Sequence, residues 1–417
     1  MIRSTFALAA LLILILLTAC GPGAPGPDSK DLPPPPPDTY PKGPDWTMFQ
    51  GNASHTGYVP VTLAPLTFRE SYAVKLSDTA LNAVACAGDW VFVTNHAYYT
   101  PSMLFEVNPR GGRQWEYSFG SIYGVNSPAY DKGKVFVQTS GHSDAYLYAF
   151  DYKEGALDIR MRIEDQWSTY YSPTIYDDII YTPGGYYHGV YALCPYDRLR
   201  PYVWITPLQT CESWTPAVDN DHIYAFSYEV EGFPYLTVLD RATGLVDFEI
   251  PDTGHNASGF WLGAQAPVIG SRGNILATNF HRLLSFDLDS RSLAYGITED
   301  FYGQVTLANG TLYVKNGERI DARAEADGTL LWTWSPPAED PAWLAEEAML
   351  ATDNLLFVSC AKPDYSPATY VGKTFAVDLV THQTVWTYDL GGHLALSASG
   401  SLIIAAPNGT LAAIKVK

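Results

Sequence analysis

The run from residue 376 to residue 386, Ala-Val-Asp-Leu-Val-Thr-His-Gln-Thr-Val-Trp, contains the pattern that decides the fold. An apolar stretch ends in Asp378, a polar turn follows, and a second stretch ends in Trp386. Short β-branched and aromatic stretches separated by turn residues are typical of antiparallel strands. Upstream, similar apolar strands end in Asp151, Asp240 and Asp287, which predicts a repeated β unit.

A second apolar stretch precedes each of these strands and recurs along the chain. These stretches begin at residues 91, 135, 179, 223, 275, 312, 355 and 402, so the steps are 44, 44, 44, 52, 37, 43 and 47 residues. This spacing is that of four-stranded propeller blades. The sequence therefore predicts an all-β fold, an eight-bladed β-propeller of four-stranded blades over residues 46–417. Only the short run from Pro341 to Met349 has a pattern that is compatible with a helix.

The last of the eight units is one strand short. After Leu411-Ala412-Ala413-Ile414 the chain ends, whereas Phe68 to Leu76 is a predicted strand without a blade of its own. Because an open array leaves exposed strand edges, we predict that this N-terminal strand completes the last blade and closes the ring.

The N-terminus has the features of a bacterial lipoprotein signal. Arg3 precedes the apolar run Phe6 to Leu17, which is short for a membrane span, and the run ends in Leu17-Thr18-Ala19-Cys20. This end resembles a lipobox, which implies a signal peptide over residues 1–19 and lipidation of Cys20. An ordinary signal peptide with an incidental cysteine is the alternative.

Residues 20–45 form a Gly- and Pro-rich linker that includes Pro33 to Pro37. Such a segment favours extended conformations and is expected to act as a stalk. Position 21 is Gly, not the Asp that resembles an inner-membrane retention signal, which favours the outer membrane. A Gram-positive host would place the protein on the outer face of the cytoplasmic membrane.

The net charge of -19, from 44 acidic and 25 basic residues, argues against nucleic acid as a partner. The membrane is expected to hold the protein through the lipid anchor only. The acidity favours solubility, with a basic partner as the alternative.

The run from residue 376 to residue 386 resembles the repeat of pyrroloquinoline-quinone-type propellers. In that family Ala, Asp, Thr-Gly and a terminal Trp dock neighbouring blades, although His382 stands where the family has Gly. The entry segment Trp46 to Gly57 also resembles that of many such bacterial propellers. The resemblance implies a structural docking role for six residues, namely Asp151, Asp240, Asp287, Asp378, Trp332 and Trp386.

The resemblance leaves three functions open. The first is a non-catalytic scaffold of the BamB type, a lipoprotein of outer-membrane barrel assembly, whose partners are envelope proteins. The second is a quinone-dependent dehydrogenase, which would need a quinone and Ca²⁺. In the alcohol- and methanol-oxidising members of this family a disulfide between adjacent cysteines covers the cofactor. This chain has no adjacent cysteines and no Cys-x-x-Cys-His haem motif, so we favour the scaffold, without cofactor or metal. We expect it to be a monomer.

The third function is a surface that binds carbohydrates or peptides. Aromatic side chains cluster in predicted loops at Tyr98-Tyr99, Trp167 to Tyr171, Tyr186-Tyr187-His188 and Phe260-Trp261. Aromatic rings are favoured at interfaces because they bury much area with few rotors. The alternative is that many of these rings cover the blades.

Four cysteines remain after Cys20. Cys194 and Cys211 lie seventeen positions apart around one predicted outer hairpin, which is equally compatible with a disulfide and with two separate thiols. Cys86 and Cys360 are expected to be small buried residues. The nine histidines show no spacing typical of a zinc site.

Overall fold

The structure, a computed structural model, describes residues 45–141, 143–164, 172–184, 189–208, 215–228, 234–254, 265–279, 281–338, 344–361 and 370–417. These residues form antiparallel strands, with short 3-10 turns at Phe49–Gly51 and Pro65–Thr67. The sheets are mostly four-stranded and successive along the chain. The all-β class is confirmed, and the sheets are those of a β-propeller.

Strand β1 (Arg69–Lys75) precedes the first complete sheet. That sheet has the order β2 (Ala85–Ala87), β3 (Trp90–Thr94), β4 (Pro101–Val107) and β5 (Arg113–Ser121). The second sheet contains β6 (Gly124–Val125), β7 (Ala129–Asp131), β8 (Lys134–Ser140), β9 (Tyr146–Asp151) and β10 (Leu157–Arg162). Each sheet therefore runs from an inner to an outer strand in chain order.

The third and fourth sheets repeat this meander. The third contains β11 (Thr174–Tyr176), β12 (Ile179–Pro183), β13 (Val190–Leu193) and β14 (Tyr202–Thr206). The fourth contains β15 (Ala217–Val218), β16 (His222–Tyr228), β17 (Pro234–Asp240) and β18 (Val246–Pro251).

The next two units share one long strand. The first has β19 (Val268–Ile269), β20 (Asn274–Asn279), β21 (His281–Asp287) and β22 (Ser292–Ala308). The second continues from β22 to β23 (Thr311–Asn316), β24 (Arg319–Ala324) and β25 (Leu330–Trp334). The first part of β22 pairs with β21 and its second part with β23, so no loop separates these units.

The last two sheets bring the chain back to β1. One contains β26 (Leu344–Ala351), β27 (Leu355–Ala361), β28 (Gly372–Asp378) and β29 (Thr384–Tyr388). The other contains β30 (His393–Leu396), β31 (Ser401–Ala405) and β32 (Thr410–Lys415), and β1 is its fourth strand. In that sheet Arg69 lies opposite Lys415 and Lys75 opposite Thr410, which is the pairing predicted for the N-terminal strand.

The helix considered for Pro341 to Met349 is wrong for residues 344–349, which belong to β26. Met349 pairs with Val358 of β27, and Leu350 with Phe357. Strand pairing at the inner edge of this sheet overrides the local helical pattern. Pro341 itself lies outside the described residues.

Burial falls from the middle strands to the outer strand of each sheet. Every residue of β31 is buried, whereas β5 and β14 alternate between exposed and half-buried positions. Middle strands pack against sheets on both faces and are therefore continuously apolar, while outer strands meet solvent. Cys86 and Cys360 are fully buried, as predicted.

Tight turns join the first two strands of each sheet. Lys132 and Gly133 have φ of 44° and 79°, and Asn309 and Gly310 have φ of 50° and 75°. Two successive residues with positive φ are typical of the turns that match the twist of a hairpin. We call the end of the sheets that carries these turns the turn face, and the opposite end the loop face.

Candidate functional site

The predicted docking aspartates all close the turn between the third and fourth strands of a sheet. At Asp240, Oδ1 accepts hydrogen bonds from the backbone N–H of Thr243 at 2.8 Å and from its hydroxyl at 2.6 Å. These bonds lower the pKa of Asp240. Equivalent bonds from residues two or three positions later reach Asp151, Asp287 and Asp378.

An aromatic side chain of the preceding sheet lies on this turn. Trp115 Nε1 donates to the carbonyl of Tyr152 at 2.9 Å, and Trp204 Nε1 donates to that of Arg241 at 3.0 Å. The turn glycines are necessary for this contact, since a Cβ at Gly155 or Gly244 would lie 2.5 Å from the indole ring. Trp115 and Trp204 were missed from the sequence, although each precedes its turn by about forty residues.

The predicted residues Trp332 and Trp386 occupy the same place in later sheets. Trp332 stacks on His382 with ring centroids 4.4 Å apart, and His382 has a φ of 59°. His382, which stands where the family has Gly, therefore keeps the left-handed backbone conformation of a glycine and adds a ring contact with Trp332. Trp386 packs edge-on against Phe68, next to β1, with centroids 5.4 Å apart.

A β-bulge precedes each docking position in the outer strands. The register shifts by one residue just before eight residues, namely Tyr72, Trp115, Ile159, Trp204, Phe248, Tyr295, Trp332 and Trp386. A bulge increases the local twist and re-aims the following side chain. This shared irregularity places Tyr72 of β1 in the docking position of the last sheet.

The entry segment, residues 45–61, crosses the inner edges of all these sheets. Backbone N–H groups of six inner strands donate to its carbonyls at 2.7–3.0 Å, in the pairs Cys86–Trp46, Tyr130–Thr47, Val218–Ala53, Ile269–Ser54, Leu307–Thr56 and Ala351–Gly57. The third sheet contributes the hydroxyl of Ser172, which accepts from Phe49 N–H at 2.8 Å. The last sheet contributes Ala398 N–H, which donates to Asp45 at 3.0 Å. The segment therefore satisfies donors that an inner edge would otherwise leave unpaired.

His55 lies fully buried at the centre of this segment. Its Nδ1 is 2.9 Å from the carbonyl of Pro267, and its Nε2 is 3.2 Å from the hydroxyl of Thr174. Burial lowers the pKa of His55 to about 4, so the ring is neutral at pH 7. The neutral ring, which donates from Nδ1, therefore links the entry segment to two separate sheets. This role is structural, not catalytic.

An exposed aromatic cluster lies on the loop face, formed by His96, Tyr98, Tyr99 and Tyr123. Tyr98 and Tyr99 are 48% and 62% exposed, and both rings contact Tyr123 edge-on at 5.4 and 5.8 Å. Tyr99 has a φ of 50°, and its N–H donates to the carbonyl of Ile122 at 2.8 Å. A left-handed backbone at a bulky residue is strained, and such strain concentrates at functional positions.

Several predicted residues lie outside the described part of the chain. These are Cys20, Cys211, Trp167 to Tyr171, Tyr186-Tyr187-His188 and Phe260-Trp261. Cys194 is buried just after β13, and its disulfide with Cys211 stays a prediction. Within the described ranges, no group of His, Cys, Asp and Glu is arranged to hold a metal ion. The same residues contain no helix that is long and apolar enough to span a membrane.

The repeated sheets and their docking contacts define a β-propeller of the pyrroloquinoline-quinone-like repeat class. The model of the family described as outer membrane protein assembly factor BamB matches residues 72–334, and the chain belongs to this family. The crystal structure of BamB from Moraxella catarrhalis has a similar fold, with a TM-score of 0.60 at 13% identity. The match covers 84% of this chain and 100% of that one. No curated protein sequence matches the chain significantly.

Proposed function

We propose that this protein is a non-catalytic cell-envelope lipoprotein that binds other envelope proteins through its loop face. The observation that carries the proposal is the exposed aromatic cluster, in which Tyr99 is 62% exposed on a strained backbone. Tyrosine rings with fixed backbones lose little entropy on binding and are favoured in interfaces. Membership in a family described as an assembly factor supports a scaffold over an enzyme.

We also infer that the sheets form eight blades in a closed ring, with β1 as the outer strand of the last blade. Three contacts support closure: the pairing of β1 with β32, the packing of Trp386 on Phe68, and the placement of Tyr72 against Gly111 of the first sheet. A Cβ at Gly111 would lie 2.7 Å from the Tyr72 ring, the same close approach as at Gly155 and Gly244. The six predicted docking residues hold neighbouring blades together in this arrangement.

Anchoring through a lipid on Cys20 completes the proposal. Residues 20–45 then connect the membrane to Asp45, which lies on the turn face between Gly88 of the first sheet and Ala398 of the last. The loop face is on the opposite side of the propeller from this attachment. We expect a Cys20→Ala variant to leave the membrane fraction, and retention of the variant in that fraction would exclude the lipid anchor.

Photo-crosslinking in intact cells tests the interaction surface. A photoreactive residue at position 99 is expected to capture a discrete envelope protein, identified by mass spectrometry. The matched control places the same residue at position 203 in β14, an outer strand where Val203 is 41% exposed. Capture at position 203 but not at position 99 would show that the interface is not on the loop face. Quinone absorbance in the purified sample, with Ca²⁺-dependent dye reduction and no captured partner, would favour the dehydrogenase.

A further inference from the structure

The exposed aromatic cluster on the loop face has the ring arrangement of an aromatic cage. The rings of Tyr98 and Tyr99 lie at 71° and 82° to the ring of Tyr123, and Tyr98 meets the ring of His96 at 85° with centroids 4.8 Å apart. Rings set nearly perpendicular form adjoining walls, and the face of each tyrosine ring carries partial negative charge. Because Tyr98 and Tyr99 are 48% and 62% exposed, these walls are accessible to a ligand from the solvent.

The backbone holds these rings in place from two segments of the chain. Tyr98 and Tyr99 lie in the loop between β3 and β4, whereas Tyr123 lies between β5 and β6, on the connection to the second sheet. The hydrogen bond from Tyr99 N–H to the carbonyl of Ile122, at 2.8 Å, joins the two segments directly. Rings on a fixed backbone lose little freedom on binding, so the cluster is preorganised for a ligand.

A carboxylate lies next to the cluster. A Cβ at Gly141 would lie 3.3 Å from the Cβ of Tyr123 and 3.9 Å from Oδ2 of Asp144, which places these two side chains beside each other. Asp144 is exposed and forms no ion pair with any described residue; its Oδ1 accepts from the Ser143 hydroxyl at 3.3 Å. Partial burial lowers the pKa of His96, so this ring is uncharged at pH 7 and does not repel a cation. Aromatic faces beside an available carboxylate favour a positively charged ligand.

We propose that the exposed aromatic cluster binds a lysine or arginine side chain of the partner protein, an inference that rests on the loop-face interface proposed above. A cation over a tyrosine face is attracted by the charge distribution of the ring, and the carboxylate of Asp144 adds to this attraction. An apolar side chain would gain from neither. The interface therefore selects a partner with a basic segment, which a protein of net charge -19 also attracts from a distance.

Saturation-transfer NMR of the full chain with two short peptides tests the preference for a cation. The probe is the peptide N-acetyl-Gly-Lys-Gly-amide, and its control has norleucine in place of lysine, a linear side chain without charge. We expect the lysine peptide to bind about fivefold more tightly than the norleucine peptide. Equal binding of the two, or no detectable binding of the lysine peptide, overturns the proposal. Choline is a third probe: if it binds more tightly than the lysine peptide, the ligand is a quaternary ammonium and not a side chain of a partner.

Substitutions at exposed positions locate the site. Tyr99→Leu removes an aromatic face and should abolish the fivefold preference for the lysine peptide, whereas Tyr99→Phe keeps the face and should retain it. Asp144→Asn should reduce the preference about twofold, as expected for an exposed charge pair. Tyr202→Leu is the matched control, since Tyr202 is 42% exposed on β14 and lies outside the cluster, and it should leave the preference unchanged. An unchanged preference in Tyr99→Leu overturns the proposal.

Crosslinking in intact cells separates a failure of this inference from a failure of the proposed interface. With the photoreactive residue at the exposed position 100, capture of the partner should fall about fivefold in Tyr99→Leu and persist in Tyr99→Phe. Full capture in Tyr99→Leu refutes the contact of the partner with the cluster and leaves the loop-face interface standing. A preference for the lysine peptide without capture at position 99 or position 100 supports a cation site and refutes the interface.

Discussion

Glu106 is a buried carboxyl between two neighbouring sheets, and its replacement should stabilise the protein. The residue lies in β4 opposite Phe92 and Trp115 and has no solvent exposure. Neither carboxyl oxygen has a hydrogen-bond partner within the described residues. Burial, with a contribution from the charge of Asp151, raises the pKa of Glu106 from 4.5 to about 8. The folded protein therefore holds this carboxyl in its protonated form at pH 7.

The sign of the pH dependence follows from this shift. Between pH 4.5 and about 8 the folded state binds this proton more tightly than the unfolded state, so stability falls as the pH rises. Each pH unit in this range costs about 1.4 kcal/mol, which amounts to about 3 kcal/mol at pH 7. Glu106→Gln removes the titration and keeps the shape of the side chain. The variant should therefore gain about 3 kcal/mol over the wild type at pH 7.

Urea unfolding followed by tryptophan fluorescence, at several values between about pH 5 and pH 8, measures this difference. The stability advantage of Glu106→Gln should grow steadily with pH over that range and nearly vanish at its acidic end. Glu154→Gln, at an exposed position in the turn after β9, is the control and should change stability by less than about 0.5 kcal/mol. An advantage that does not depend on pH would refute the reasoning, since it would show that Glu106 is not protonated by the fold.

Two further predictions concern the docking contacts and the entry segment. Gly244→Ala should cost about 2–4 kcal/mol in thermal or urea unfolding, because it combines a φ of 72° with a Cβ 2.5 Å from Trp204. Gly310→Ala, with a φ of 75° and no atom within 4 Å, should cost only about 1–2 kcal/mol, and equal costs would exclude a tight docking contact. Because burial lowers the pKa of His55 from 6.5 to about 4, the unfolded state binds that proton more tightly, and stability should fall as the pH drops through this range. His55→Gln should be less stable than the wild type at pH 7, and its stability should fall less steeply as the pH is lowered. If the stability measured by urea unfolding depends on pH equally in both proteins, the burial of a neutral ring is contradicted.

The strands were predictable because their signal is local, whereas the contacts between sheets were not. The apolar runs beginning at residues 91, 135 and 179 fall in β3, β8 and β12, since period and turn chemistry are visible in short windows. The continuous strand β22 had no such signal, because Asp300 and Gly303 lie within it where a loop would be expected. Leu344 to Met349 formed a strand because pairing with β27 overrides a short helical pattern.

The docking positions were also difficult to predict, because they depend on contacts between sheets that short sequence windows do not show. A docking role for Trp332 and Trp386 was predicted from their resemblance to a repeat, whereas Tyr72 lies in a strand far in sequence from its sheet. Its role became visible through the bulge that it shares with the other outer strands. Glu106 could not be singled out at all, since an apolar environment contributed by other strands, and not its sequence neighbours, determines its protonation.

The turn face and the loop face of the propeller carry different kinds of contact among the described residues. On the turn face the docking aromatics and the entry segment join neighbouring sheets, and toward the loop face side-chain hydrogen bonds such as that from Gln138 Nε2 to the carbonyl of Pro183 also do so. Tyr98 and Tyr99 are exposed on the loop face, outside the docking turns, and surface loops tolerate sequence change better than the elements that they connect. In the function proposed above, the partner-binding surface can therefore diverge while the docking turns stay fixed. A repeat that fixes few residues tolerates change at most other positions, so a fold shared with BamB at 13% identity is expected for this repeat.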